Sequence, residues 1–203
     1  MNQLIKEVGL NLKPGKYIIA VSGGIDSVVL LDLLSKKTGL KLIVAHFDHG
    51  IRSNSKQDRL FVEELSKDYK LPFHYKSVQL GKDASELVAR EARYSFLFEI
   101  CESEQALGVI TAHHKDDVIE TAIFNLIRGS GRKGISSLDS SGKLRRPLLK
   151  ITKDEIMAYA KQNDIVWRED QSNKDLKYSR NLIRHKLSSQ KKSKNFLNLT
   201  QHI

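Results

Sequence analysis

An α/β architecture is what this sequence predicts: a parallel sheet with helices on both faces and a small helical C-terminal extension. Three observations lead there. Short apolar runs alternate with longer stretches of helical spacing. Each short run is nearly continuous, as expected of strands buried on both faces. The chemistry-bearing segments directly follow these runs, at the carboxyl edge where such sheets bind ligands.

Tyr17-Ile18-Ile19-Ala20-Val21 reads as the first strand, with a helix through Val28–Leu34 behind it. Lys41–Phe47 reads as the second strand, and residues 54–69 carry helical spacing through Leu60, Phe61, Val62, Leu65 and Tyr69. Phe73-His74-Tyr75 begins a third strand after Pro72, and residues 84–105 predict a long amphipathic helix. Residues 107–112 predict a fourth strand and 115–128 a fourth helix. The stretch 129–146 is rich in Gly, Ser and basic residues and reads as a mobile loop that attracts phosphates. A helix over 152–163 follows, with Thr152 as N-cap and Asp154 and Glu155 in its first turn. A last helix covers about 177–187, and the tail beyond Ser188 is Lys-, Ser- and Asn-rich. The expected division is a catalytic domain over 1–145, a helical extension over 146–188 and a basic tail over 189–203.

The chain is 203 residues long, enough for one substantial domain. Its apolar runs are too short to span a bilayer, and no secretory leader is visible at its start, so no membrane partner is expected. With Cys101 as the single cysteine, neither an internal disulfide nor a thiolate metal site can form, which suits a cytoplasmic setting. Charge is uneven. Residues 1–127 hold 16 Lys and Arg against 17 Asp and Glu, whereas residues 128–203 hold 18 against 7. That asymmetry fits a nucleic-acid surface joined to a neutral catalytic part, with a Lys-rich solvated face as the plainer alternative.

Ser22-Gly23-Gly24-Ile25-Asp26-Ser27 lies between the first strand and first helix. There, backbone N–H groups and a helix N-terminus converge on an anion. The two glycines permit a sharp turn and close approach, and Ser22 and Ser27 add hydroxyls. Asp26 would repel a bare phosphate, so its presence implies a cation between them, most simply Mg²⁺. No Gly-Lys-Ser/Thr follows, so this is not a Walker A loop.

Two further segments sit at predicted strand ends. His46-Phe47-Asp48-His49-Gly50-Ile51-Arg52 offers metal-type donors, but Arg52 fits a phosphate or nucleotide better than a cation. His113-His114-Lys115-Asp116-Asp117 opens the fourth helix, and Asp116, Asp117 and Glu120 form an acidic ridge on it. Asp117 with Asp26 is a candidate pair for the metal, and His113 can stabilise or shuttle charge. On the long helix, Arg90 and Arg93 are one turn apart. They either pair with acids on a solvated face or aim into the crevice.

The loop Ser-Gly-Gly-Ile-Asp-Ser resembles the signature of the PP-loop N-type ATP pyrophosphatases, which cut ATP between the α- and β-phosphates. The ordered set extends that likeness: His46–Arg52, Arg90-Glu-Ala-Arg-Tyr94, Thr111–Thr121, Arg128-Gly-Ser-Gly131, Arg146-Pro-Leu-Leu149 and Glu169–Arg184. Together they resemble the tRNA(Ile)-lysidine synthetases across about residues 16–187. The likeness implies a Rossmann-like PP-loop fold, ATP and Mg²⁺ as cofactors, and tRNA(Ile) and free L-lysine as partners. It implies that the wobble cytidine is adenylated at C2 and then attacked by the lysine ε-amino group, giving lysidine, AMP and pyrophosphate.

In that reading Ser22 to Ser27, His46, His49 and Arg52 hold ATP, and Asp26 and Asp117 hold Mg²⁺. Arg93 and His113 support adenylation, and Glu120 lines the lysine pocket. Arg128, Arg132, Lys133, Arg146, Arg180 and Arg184 meet the tRNA. Two features depart from the family's pattern. Val118 replaces the commoner Gln, and most members continue past the signature helix into further tRNA-binding domains. Two rivals remain, a tRNA thiolase, which the single cysteine disfavours, and an inactive tRNA-binding relic.

Overall fold

A computed structural model of the chain describes residue 8 and residues 12–50, 55–79, 86–127, 129 and 142–169. The chain forms two compact units, Met1–Lys115 with Ser140–Glu169, and Asp116–Asp139 with Asp170–Ile203.

The first unit is built on strands β1 (Gly15–Ala20), β2 (Leu40–Asp48), β3 (Phe73–Ser77), β4 (Val109–Ile110) and β5 (Leu144–Arg145). Its helices are α1 (Ile25–Ser35), α2 (Ser55–Asp68), α3 (Glu86–Ser103) and α5 (Lys153–Gln162); α4 (Lys115–Ile127) begins at its last residue before the break. All neighbouring strands pair in parallel, in the order β3-β2-β1-β4-β5.

Side chains alternate across this sheet with period two. Tyr17, Ile19 and Val21 of the first strand segment, with Leu42, Val44 and Ile110, pack into one core with α1, α2 and α5. Ile18, Ile43, Ala45, Val109 and Leu144 face the other way, into a second core with Phe96, Leu97 and Ile100 of α3. The register Ile18↔Ile43 and Ile18↔Val109 keeps each layer continuous across three strands. Helices therefore cover both faces, as the apolar runs predict.

Nine of the eleven residues of α1 are buried, so this helix is enclosed on nearly every side. α5 packs along it and opens with a capping box. The Thr152 side chain accepts from the Glu155 N–H, and Glu155 accepts from the Thr152 N–H.

The structure differs from expectation at the fourth strand and after it. Only Val109–Ile110 form the β4 ladder, although backbone bonds continue from Leu107 N to Lys16 O (2.8 Å) and from Thr111 N to Arg145 O (3.0 Å). The end of the expected 129–146 loop forms β5, which pairs with β4. Gly108 permits this approach, since a Cβ there would lie 2.3 Å from the Lys143 carbonyl oxygen. None of the described helices is long and apolar enough to cross a membrane. The predicted helix over 177–187 and the tail lie outside the described residues.

Candidate functional site

In the strand order, β2 and β3 extend from one side of β1 while β4 and β5 extend from the other. The order reverses between β1 and β4, and ligands of open α/β sheets enter the crevice beyond the carboxyl ends at that point. Residues 21–24 leave β1 there, and residues 111–114 leave β4.

The first loop is locked by its own side chains. Ser27 is buried; its hydroxyl donates to Gly24 O (2.9 Å) and accepts from Ser22 N–H (3.1 Å). Gly24 N–H reaches the Ser22 oxygen at 3.3 Å. Gly23 has φ +91°, a backbone state that side chains disfavour. Gly24 caps α1 in an extended conformation with no side-chain cap, so the first N–H groups of the helix are served by no capping side chain. Ser22 is exposed, whereas the Ile25 side chain belongs to the core. Of the loop residues, Ser22, Gly24 and the helix N–H groups are thus the ones that can meet an anion.

Asp26, in the first turn of α1, keeps 30% side-chain exposure and pairs with Lys153 Nζ at 2.5 Å; His114 Nε2 lies 3.8 Å from the same oxygen. Arg168 crosses the outside of the loop. Its N–H donates to Gly23 O (3.0 Å), its Nε donates to Asp58, and its Nη2 donates to Gln57 (3.1 Å).

The end of β2 is spent largely on structure. His46 is buried with Nδ1 2.8 Å from Val21 O, and because a carbonyl only accepts, the ring proton sits on Nδ1. Burial holds this imidazole below its usual range, outweighing the Val21 carbonyl and Asp48. Asp48 accepts from Gly50 N–H at 2.8 Å and from Ser77 at 3.3 Å. Burial alone would raise its carboxyl, but donors from Gly50, Ser55 and Ser77 bring it below the usual value. His49 is half-buried with its ring edge-on to Phe47.

At the end of β4, His113 Nδ1 lies 2.9 Å from the Thr111 hydroxyl. Burial first, and then the charges of Arg146, Arg93 and Arg90, push the imidazole down to about 3. The positive charges of these guanidinium groups therefore act on one neutral histidine. Arg90 and Arg93 also stand 5.0 and 5.4 Å from the Tyr94 ring. Arg146, expected on a tRNA surface, is 7% exposed and belongs to this cluster.

In the second unit, Asp117 is half-buried in the first turn of α4, and Glu120 is buried at 6% exposure. Val118 is half-buried on the same helix. Arg52, Arg128, Arg132, Lys133, Arg180 and Arg184 lie outside the described residues. Among the described residues, no three of His, Cys, Asp and Glu gather as a metal site.

Sequence reasoning missed Lys153 and Arg168. A lysine opening a helix gives no signal of its own, and no local pattern links Arg168 to a loop so far upstream. The Asp26 partner could be found only through the fold, from α5 lying on α1.

The family profile described as a PP-loop domain matches residues 1–191. The chain is 38% identical over 187 residues to the tRNA(Ile)-lysidine synthase of Thermotoga maritima, spanning 87% of this chain and 45% of that protein. It is 39% identical over 188 residues to the tRNA(Ile)-lysidine synthase of Geobacter sulfurreducens, spanning 86% and 40%. The chain thus spans less than half the length of these relatives. Among solved structures, the U34-tRNA thiolase NcsA from Methanococcus maripaludis superposes with a TM-score of 0.75 at 19% identity, covering 99% of this chain and 78% of that one. NMN synthetase from Francisella tularensis gives a TM-score of 0.60 at 17% identity, covering 98% and 89%. Likeness at such identities carries the fold alone.

Proposed function

The chain belongs to the PP-loop domain family, and from that premise we propose that it is an ATP-dependent ligase that makes lysidine on tRNA(Ile). ATP binds in the crevice between β1 and β4. The observation that carries the nucleotide part is the α1 N-terminus without a capping side chain, behind the Gly23–Gly24 turn, at the point where the strand order reverses. The likeness to two lysidine synthases carries the choice of substrate.

The C2 carbonyl oxygen of the wobble cytidine is a poor leaving group. In the first step it attacks the α-phosphorus of ATP, and the bond to the β-phosphate breaks, releasing pyrophosphate. In the second, the ε-amino nitrogen of free L-lysine bonds to C2, the C2–O bond breaks, AMP leaves and the amine gives up a proton. The protein's task is to neutralise phosphates and hold the reactants in line.

Ser22, Gly24 and the Ile25 N–H would cradle the pyrophosphate portion, with Gly23 and Ser27 acting by shaping the loop. His49 and Arg52 would contact the nucleotide, and His46 would hold the loop through Val21. Arg93, joined by Arg90 and Arg146, would meet charge developing on the transferred phosphate. His113, kept neutral, can donate or accept one hydrogen bond there. Mg²⁺ fits the charge pattern, because the Asp26 carboxylate already holds a cation in Lys153. Asp26 and Asp117 would hold it, and it would supply neutralisation of the polyphosphate. Glu120 would receive the lysine ammonium. Arg128, Arg132, Lys133, Arg180 and Arg184 would contact the tRNA.

Cys101 disfavours sulfur transfer, because it is buried in the second core and burial raises its thiol above the usual value. The deciding assay is AMP release by the full chain with ATP and Mg²⁺. Release should need both L-lysine and tRNA(Ile) bearing the CAU anticodon, and an anticodon-swapped transcript should incorporate no lysine. AMP release without lysine would point to another nucleophile, and none under any condition to an inactive relic. Separately, changing Arg132 and Lys133 to Glu should weaken tRNA binding and flatten its salt dependence while sparing ATP binding. Unaltered tRNA affinity at moderate salt would leave that segment a connector.

A further inference from the structure

The loop between β1 and α1 contains an acid and no base, yet it is proposed to receive a polyphosphate. Its positive charge comes from elsewhere. Lys153, the first residue of α5, reaches across 127 residues of sequence to Asp26 Oδ1 at 2.5 Å. That lysine is badly placed for its own helix, because a cation in the first turn opposes the helix dipole. Asp154, Glu155 and the Thr152 capping box offset this and fix the start of α5. The preceding residue is tied down too, since Ile151 O accepts from Lys115 N–H at 2.8 Å. The Lys153 stem is therefore anchored at its base, and its ammonium reaches the Asp26 carboxylate.

We propose that Lys153 is a built-in counter-ion for Asp26, which makes the loop electrically neutral and able to accept ATP without a divalent cation. This rests on the reading of the crevice as an ATP site. Without Lys153 the Asp26 charge faces the triphosphate uncompensated, and the metal becomes obligatory for binding. Lys153 acts here through Asp26 and is a positioning residue.

The test is calorimetric titration of ATP into the full chain, once in EDTA and once in Mg²⁺. Wild-type protein should bind in both. Lys153→Met should lose about tenfold or more in EDTA, as expected for an unscreened charge beside a polyphosphate, and much less in Mg²⁺. Lys153→Arg should bind as wild type in EDTA. The double variant Asp26→Asn with Lys153→Met should regain metal-free binding, because it removes the repelling charge, and it carries the test even if Lys153→Met folds poorly. Wild-type binding only in Mg²⁺ overturns the inference while leaving the ATP site standing. So does a double variant as weak as Lys153→Met alone, or Lys153→Met binding like wild type. Wild-type protein that binds no ATP in either buffer defeats the ATP reading itself.

Discussion

Asp26 and Asp32 lie on one helix less than two turns apart, and their surroundings have little in common. Asp32 is 7% exposed. It accepts from Tyr69 OH at 2.8 Å, Tyr159 OH at 2.7 Å and Lys36 Nζ at 2.7 Å. Burial and the adjacent carboxylate raise the Tyr69 hydroxyl above its usual range, so it remains a donor. Asp26 keeps 30% side-chain exposure and holds Lys153, with His114 farther off at 3.8 Å. α5 serves both acids, Lys153 opposite Asp26 and Tyr159 opposite Asp32, so the two helices run side by side in the same direction. The lower acid is a clamp between α1, α5 and the end of α2. The upper one, at the carboxyl edge of the sheet, is the acid proposed to face the nucleotide. Position along the helix, and not residue type, separates the roles.

The sharpest way to break this contrast is Asp26→Ala. Lysidine and AMP formation should fall by at least about 10²–10³-fold, with a melting temperature within a few degrees of wild type; full lysine incorporation would remove Asp26 from the chemistry. Asp32→Ala should do the reverse. Leaving Lys36 and two tyrosine hydroxyls without their acceptor should cost about 3–5 kcal/mol in urea unfolding, while the folded fraction still binds ATP. A loss below about 1 kcal/mol would mean that Asp32 is no clamp.

A third test uses acid. His113 is held at about 3 when folded, against an ordinary histidine value of 6.5. The unfolded chain therefore takes up this proton first as pH falls. The contribution is fully present above 6.5 and is lost progressively toward 3, with a slope of at most about 1.4 kcal/mol per pH unit. His113→Gln should flatten the stability profile in that window, and an unchanged slope would show that burial and the arginines do not hold this ring neutral. The smallest effect belongs to Tyr159→Phe, about 1 kcal/mol for one hydrogen bond to a retained acceptor. A loss as large as that of Asp32→Ala would place the strength of the clamp in Tyr159 alone.

Much of this molecule is legible in its sequence. Tyr17–Val21 and Leu42–Ala45 are uninterrupted apolar runs of the kind a covered strand needs, and the Gly-Gly pair followed by Asp26 marks the turn between strand and helix. β5 was hidden because its two residues sit in a Gly-, Ser- and Arg-rich stretch. It is held by backbone bonds such as Val109 N to Lys143 O (2.8 Å), which no side-chain pattern announces. Lys153 and Arg168 were hidden for another reason. Their partners lie more than a hundred residues upstream, and only packing of distant segments reveals such pairs. Arg146 looked like a surface cation beside other basic residues, and its burial becomes visible only once β5 carries it to His113.

The first unit is made of two separated stretches of chain, and this has a consequence for synthesis. β1, α1, β2 and α3 leave the ribosome well before β5 and α5 exist. Until residues 144–162 emerge, the β4 edge of the sheet lacks its neighbour and the α5-facing side of α1 stays uncovered. Closure then depends on contacts of long sequence separation, which form late and slowly. The nascent chain accordingly passes through an interval in which it is prone to association with other chains or chaperones, and that interval ends when α5 docks and brings Lys153 to the loop.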